Sequence, residues 1–230
     1  MNKIQLYRNK SNEYLSIEFN ENGYLVKNLD SYEEREAFYK LRYIVYSSEL
    51  SWLNSYSEKI DSKNICKQDY RDFDEYDERS ISFGLFHNNI LIGGSRIILS
   101  DTLDDTMSFK TFNFNLDDRN IIKKHDKFLE ISRMAISKEY RKKELNRLKA
   151  NISFCLYKIM KYWILKNGFR YVYMVVEDGY FNNLQKFFEI KQCQSRKNNI
   201  LIEVDFLNAQ NKLKPDNYLM YKWFLEDLIE

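Results

Sequence analysis

The sequence predicts an α/β fold, a mixed central sheet with flanking helices, in a single domain spanning residues 1–230. Three observations predict it. Short segments of strand character flank tight-turn residues near the N-terminus and again at 80–99, the pattern of antiparallel hairpins. An apolar stripe at helical spacing runs from Leu145 to Trp163. Directly after it stands 169–176, FRYVYMVV, almost wholly apolar, as expected of a strand covered on both faces.

In chain order, YLSIEF and YLVKNL within residues 14–29 flank an Asn-Glu-Asn-Gly turn and predict a hairpin. Ser31 with Glu34 forms a capping-box pattern that starts a helix. Its apolar stripe is Phe38, Leu41 and Val45, with Arg42 and Tyr46 at the edge. Residues 53–79 form a long polar, acidic connection of the kind that often carries function. Two strands, 80–87 and 90–99, join across Asn88-Asn89, and Gly93-Gly94 in the second predicts a bulge. After a polar excursion, 128–136 reads as a strand. Leu145, Leu148, Ile152, Cys155, Leu156, Ile159 and Trp163 then predict one helix, ended by Asn167-Gly168. Strand, helix, strand in that order is a parallel crossover unit. A short helix over 180–189 and a strand over 200–206 complete the sheet.

Composition excludes several classes. A hydrophobic content of 44% is enough for a sizeable core. The 36 basic residues nearly cancel the 34 acidic ones, which argues against a nucleic-acid binder. Cys66, Cys155 and Cys193 lack C-x-x-C spacing, and His87 and His125 are the only histidines, so neither disulfides nor a metal site is expected. No apolar stretch has the ~20 residues of a membrane helix. The start, MNKIQLYRNKSNEY, lacks the apolar run of a secretory signal. A soluble cytoplasmic protein is the expectation.

Ionisable residues inside apolar segments are the informative ones, because burying a charge costs several kcal/mol unless a partner compensates it. Arg42, Arg96, Glu130 and Arg133 are so placed, and the acidic connection adds Asp74 and Asp77. Three arginines and three carboxylates can neutralise one another, either as a structural ion-pair network or as an active site. Glu130 and Arg133 are three apart, so in a regular strand they face opposite ways. They line one cleft only if the strand bulges or its pairing ends between them.

These residues carry a resemblance. Arg42-Tyr-Ile-Val-Tyr46, with Trp52 ten residues past the arginine, resembles the R-x-x-V-F…W opening of acyl-homoserine lactone synthases. Asp74-Glu-Tyr-Asp77 resembles their D-x-F/Y-D, Arg96 falls at their hairpin arginine, and Glu130-Ile-Ser-Arg133 is similar to their E-x-S-R. The longer strings Leu-Arg-Tyr-x-Val-Tyr, Asp-Glu-Tyr-Asp-Glu-Arg-Ser and Glu-Ile-Ser-Arg-Met-Ala-Ile-Ser look closer to N-acyl amino acid synthases and to PEP-CTERM/exosortase-associated acyltransferases. All are GNAT-superfamily enzymes that use acyl thioesters. The resemblance implies a GNAT-like sheet whose parallel strands, 128–136 and 169–176, splay to admit the thioester. It also implies an acyltransferase with no permanently bound cofactor.

Two departures stand out. Lactone synthases have R-L-G-W where this chain has Glu49-Leu-Ser-Trp52, and S-R-F where it has Ser132-Arg133-Met134, which disfavours S-adenosylmethionine. No glycine occurs between Gly94 and Gly168, so the usual glycine-rich diphosphate loop is missing. The segment 138–149 holds six basic residues, Lys138, Arg141, Lys142, Lys143, Arg147 and Lys149, against two acidic ones. At the opening of the helix it would be either an ordinary solvated helix end or a docking patch for an acidic acyl carrier protein.

The expected reaction moves a fatty acyl group from a carrier or CoA thioester to an amino acid or similar small amine. Glu130 is the candidate base, and Arg133 would orient it or bind an acidic group of the acceptor. Arg42, Tyr46, Trp52, Asp74, Asp77 and Arg96 would wall the acceptor side. Tyr180 would protonate the leaving thiolate. The alternatives are a lactone synthase, an ordinary acetyl-CoA GNAT enzyme and a non-catalytic acyl-binding module.

Overall fold

The computed structural model describes residues 5–8, 14–21, 23–51, 70–112, 114, 127–145, 150–185, 190–196 and 199–206. Its strands are β1 (Gln5–Arg8), β2 (Leu15–Glu21), β3 (Tyr24–Asn28), β4 (Ser80–His87), β5 (Ile90–Ser100), β6 (Phe128–Ile136), β7 (Glu144–Leu145), β8 (Ala150–Asn151), β9 (Tyr171–Glu177), β10 (Ile190–Arg196) and β11 (Asn199–Asp205). Its α-helices are α1 (Tyr32–Tyr43), α2 (Met107–Phe112), α3 (Ser153–Lys166) and α4 (Asp178–Leu184). Among the described residues the strands follow the order β1-β2-β3-β4-β5-β6-β9-β11-β10 in a mixed sheet, with β7-β8 a separate ladder. The chain divides into two compact units, Met1–Arg96 with Arg133–Trp163, and Ile97–Ser132 with Ile164–Glu230.

In the first unit β1 to β4 pair antiparallel in succession. The β2–β3 hairpin closes at Glu21↔Tyr24, with Gly23 at φ 81°. Ser31 caps α1 as its pattern predicts: its Oγ accepts from Glu34 N, and the Glu34 carboxylate accepts from Ser31 N. α1 runs directly into a π-helix, Ile44–Glu49, closed by Leu50 N–H donating to Val45 O at 3.0 Å. The wider turn lets the consecutive residues Val45 and Tyr46 both be buried, and Arg42 is buried too rather than lying at a stripe edge.

Asn88 and Asn89 both take positive φ, as a tight hairpin turn requires. The double glycine in β5 makes room for neighbours. A Cβ on Gly94 would stand 2.6 Å from the Phe38 ring and 2.7 Å from Phe83 O.

One expected element is corrected. The helix does not open at Leu145; α3 begins at Ser153. Residues 137–143 instead form turns, with Tyr140 N donating to Ser137 O and Lys143 N to Tyr140 O. Glu144 then pairs Asn151, and Leu145 pairs Ala150. In a helix, Lys138 and Lys142 would repel across a turn, as would Lys143 and Arg147. The basic segment therefore precedes the helix. Once begun, α3 is buried along nearly its whole length, Lys158 and Lys161 included. Burial, with Lys158 nearby, pushes the Lys161 ammonium down to about 7.

In the second unit β6 pairs parallel with β9 at Glu130↔Tyr173 and Ile131↔Met174, as the crossover reading predicts. β9 pairs antiparallel with β11, and β11 with β10, which shifts register between Gln192 and Gln194. Gly168 at φ 81° follows the end of α3, with Phe169 N donating to Ile164 O. Phe109, Phe114, Phe128, Tyr173, Cys193 and Leu201 form the apolar cluster of this unit. The predicted helix over 180–189 appears earlier, as α4, and 186–189 lie outside the described residues.

Candidate active site

In the first unit, α1, the segment after Tyr70, β5 and the second half of β6 bring Arg42, Asp72, Asp74, Asp77, Arg96 and Arg133 together. Arg42 Nε donates to Asp72 Oδ2 at 2.9 Å, and its Nη1 to Asp77 Oδ1 at 2.6 Å. Arg96 grips Asp74 with two bonds, of 2.6 and 2.9 Å, and its Nη1 lies 2.6 Å from Asp77 Oδ1. Arg133 Nη2 donates to Asp74 Oδ2 at 3.1 Å, with its Nε 3.3 Å from Asp72 Oδ2. Three guanidinium charges meet three carboxylates, so the network is neutral.

The acidic turn also feeds itself from the backbone. Asp74 N donates to Asp77 Oδ2, Tyr76 N to Asp74 Oδ1, and Asp77 N to Asp74 O. Burial alone would raise the Asp74 carboxyl, but Arg96, Arg133 and Arg42 outweigh it and hold the group well below the usual carboxylate range. Asp72 is likewise held low, by Arg42 and Arg133 against burial. Two donors in the network, Arg42 Nη2 and Arg133 Nε, have no hydrogen-bond acceptor.

Exposure within the network is uneven. The Arg42 and Arg96 side chains are fully buried, whereas Arg133 is 28% exposed and forms the edge that solvent reaches. Arg133 sits at φ 55° inside β6, a left-handed break in the alternation of the strand. Tyr46 lies against it, ring centroid 6.0 Å from the guanidinium carbon, and donates to Met134 O. Burial pushes the Tyr46 phenol up to about 12.

Glu130 belongs to the second unit and is fully buried. Ser108, in the first turn of α2, donates to both its oxygens, Oγ to Oε1 at 2.6 Å and N to Oε2 at 3.1 Å. Among the described residues the β6–β9 ladder registers only at Glu130 and Ile131. Among the described residues this parallel pairing thus ends at Ile131, and the strand breaks at Arg133. The third carboxylate of the arginine network is Asp72, which the sequence reading passed over.

The basic segment is partly engaged. Lys138, Lys142 and Lys143 are exposed. Arg141 is not free: it pairs with Glu49 and donates to Ile136 O. Tyr180 is exposed on α4. Cys155 is buried, and burial pushes the Cys193 thiol up to about 11, which suits neither as a nucleophile. Trp52, Cys66, His125, Arg147 and Lys149 lie outside the described residues. Sequence reasoning missed Asp72, Glu49 and Ser108. Asp72 had a signal, standing two residues before Asp74 in Asp-Phe-Asp; the other two had none.

Residues 41–150 match the family described as acetyltransferase (GNAT) domain. The match covers a little under half of the chain, and the mixed sheet with flanking helices is a GNAT-like fold. Among solved structures, FeeM, an N-acyl amino acid synthase from uncultured soil microbes, is similar at 14% identity and a TM-score of 0.56, over 87% of this chain and 97% of its own. BjaI, a CoA-dependent acyl-homoserine lactone synthase solved with SAM and isopentyl-CoA, has 16% identity and a TM-score of 0.58, over 85% and 83%. The acyl-homoserine lactone synthase LasI has 14% identity and a TM-score of 0.53, over 81% and 92%. At these identities the likeness is one of fold. No curated protein sequence matches the chain. Among the described residues no helix is long and apolar enough to cross a membrane.

Proposed function

We propose that this protein transfers a fatty acyl group from an acyl carrier protein or CoA thioester to the amino group of an amino acid or similar small amine. The observation that carries the reading is Arg133. It is the one arginine of a neutral network that solvent reaches, 28% exposed where Arg42 and Arg96 are fully buried. Such a group suits the carboxylate of an amino-acid acceptor, because a guanidinium binds carboxylates through paired N–H donors. Arg42, Arg96, Asp72, Asp74 and Asp77 hold it in place. FeeM, of similar fold, is described as an N-acyl amino acid synthase.

An ammonium has no lone pair, so the acceptor must lose a proton before it attacks the thioester. Glu130 takes that proton, held as an acceptor by Ser108. Backbone N–H groups of β6 past Ile131 stabilise the tetrahedral oxyanion, and Tyr180 protonates the departing thiolate. Lys138, Lys142 and Lys143, all exposed, favour an acidic carrier protein as donor.

The test uses purified protein, octanoyl-CoA or octanoyl carrier protein, and the standard amino acids, with release of free thiol as readout. Glu130→Gln should lower turnover by roughly 10²–10⁴-fold without changing the melting temperature much. Near-normal turnover in that variant removes Glu130 as the base.

A further inference from the structure

Acylating an ammonium with a thioester releases one net proton. Of the three N–H protons, the amide keeps one, the thiol takes one, and one must leave. Glu130 has no exposed surface through which to pass it on. A buried base that turns over repeatedly needs an exit.

The second unit holds a row of ionisable side chains running across four strands. Glu130 on β6 registers with Tyr173 on β9, Tyr173 with Glu203 on β11, and Glu203 with Lys191 on β10. Residues in register across neighbouring strands project from the same face, their Cβ atoms about 5 Å apart. Tyr173 Oη donates to Glu203 Oε2 at 2.7 Å, and Lys191 Nζ lies 4.0 Å from Glu203 Oε1. Exposure rises along the row, from 0% at Glu130 to 2% at Tyr173 and 4% at Glu203, reaching 44% at the Lys191 side chain. A buried carboxylate bonded to a buried phenol, in register with Glu130, is costly to keep unless it does something.

Resting on the acyl-transfer reading, we propose that Tyr173 and Glu203 relay the proton taken up by Glu130 to solvent beside Lys191. Glu130 gives its proton to Tyr173 Oη as the Tyr173 hydroxyl proton passes to Glu203 Oε2. Glu203 then releases it to water at the Lys191 end, and rotation of the Tyr173 hydroxyl resets the row. No electrons move, and one proton enters and leaves per turnover. Burial first, and the Glu203 carboxylate second, hold the Tyr173 phenol far above its usual range, so the hydroxyl stays a donor. Lys191 keeps an opposite charge at the exit. Tyr173 and Glu203 are thus positioning and relay residues, one step removed from the reacting atoms.

Glu203→Gln separates relay from framework. The glutamine oxygen still accepts from Tyr173 Oη, so the hydrogen bond survives while proton uptake is lost. Purified full-length wild type, Glu203→Gln and Tyr173→Phe are assayed with octanoyl-CoA and the standard amino acids, in H2O and in D2O, alongside thermal melts. The relay predicts that kcat falls about tenfold or more in both variants, within the range of general acid–base effects. KM stays within about twofold, and the solvent isotope effect on kcat grows. Wild-type kcat and isotope effect in folded Glu203→Gln overturn the relay alone. Should Glu203→Gln not fold, Tyr173→Phe with wild-type kcat and isotope effect does the same. Absence of thiol release by the wild type with every donor and amine overturns acyl transfer, and the relay with it.

Discussion

A guanidinium buried without compensation costs several kcal/mol, and Arg42 avoids that cost by holding one aspartate on each of two nitrogens. Arg42→Met should therefore leave three carboxylates facing only Arg96 and Arg133, and destabilise the fold by about 3–5 kcal/mol. Urea denaturation at neutral pH measures it, and a loss below about 1 kcal/mol would show that the network carries little stability. The same residues set an acid limit. Asp72 and Asp74 have folded values below their unfolded ones, so their stabilisation is complete above pH ~4 and is lost as pH falls toward the lower folded values. Asp72→Asn with Asp74→Asn should flatten stability against pH below pH ~4; an unchanged acid slope contradicts this. Most of the network was legible because an arginine in an apolar strand or stripe demands a partner. Asp72 was not, since in an acidic connection nothing but folding says which carboxylates turn inward.

The network depends on where α1 lies, and a single glycine helps decide that. Phe38, one turn before Arg42, packs against the bare Cα of Gly94, and the Arg42 guanidinium carbon lies 5.4 Å from the Phe38 ring centroid. A methyl at Gly94 would meet an aromatic ring and the Phe83 carbonyl, and the backbone yields less readily than a flexible side chain. Gly94→Ala should cost about 1–3 kcal/mol, measured by urea denaturation. A change within 0.5 kcal/mol, the usual range for harmless surface substitutions, contradicts the account. Elements with strong local signals were readable: the capping box at Ser31, the Asn88-Asn89 turn, the Gly168 stop. The start of α3 was not, because Leu145 and Leu148 extend its apolar period into a segment whose like charges and turn bonds favour another course. β10 was not either, since Ile190–Arg196 is largely polar and reads as a loop until β11 is there to pair with it. The π-helix after α1 leaves no mark in an apolar period one residue wide.

At the scale of the molecule, the GNAT-like fold was readable from the sequence, because the ordered set from Arg42 to Arg133 pointed to it. The acceptor and the chain length of the donor were not, since both depend on cavity shapes that motifs do not encode. Mass spectrometry of lipid extracts from cells overproducing the protein, beside cells overproducing Glu130→Gln, addresses the central claim most directly. The account predicts a new N-acylated amino acid or small amine, abundant with the wild type and nearly absent with the variant. An acyl lactone in its place, or identical lipids from both cultures, would contradict it.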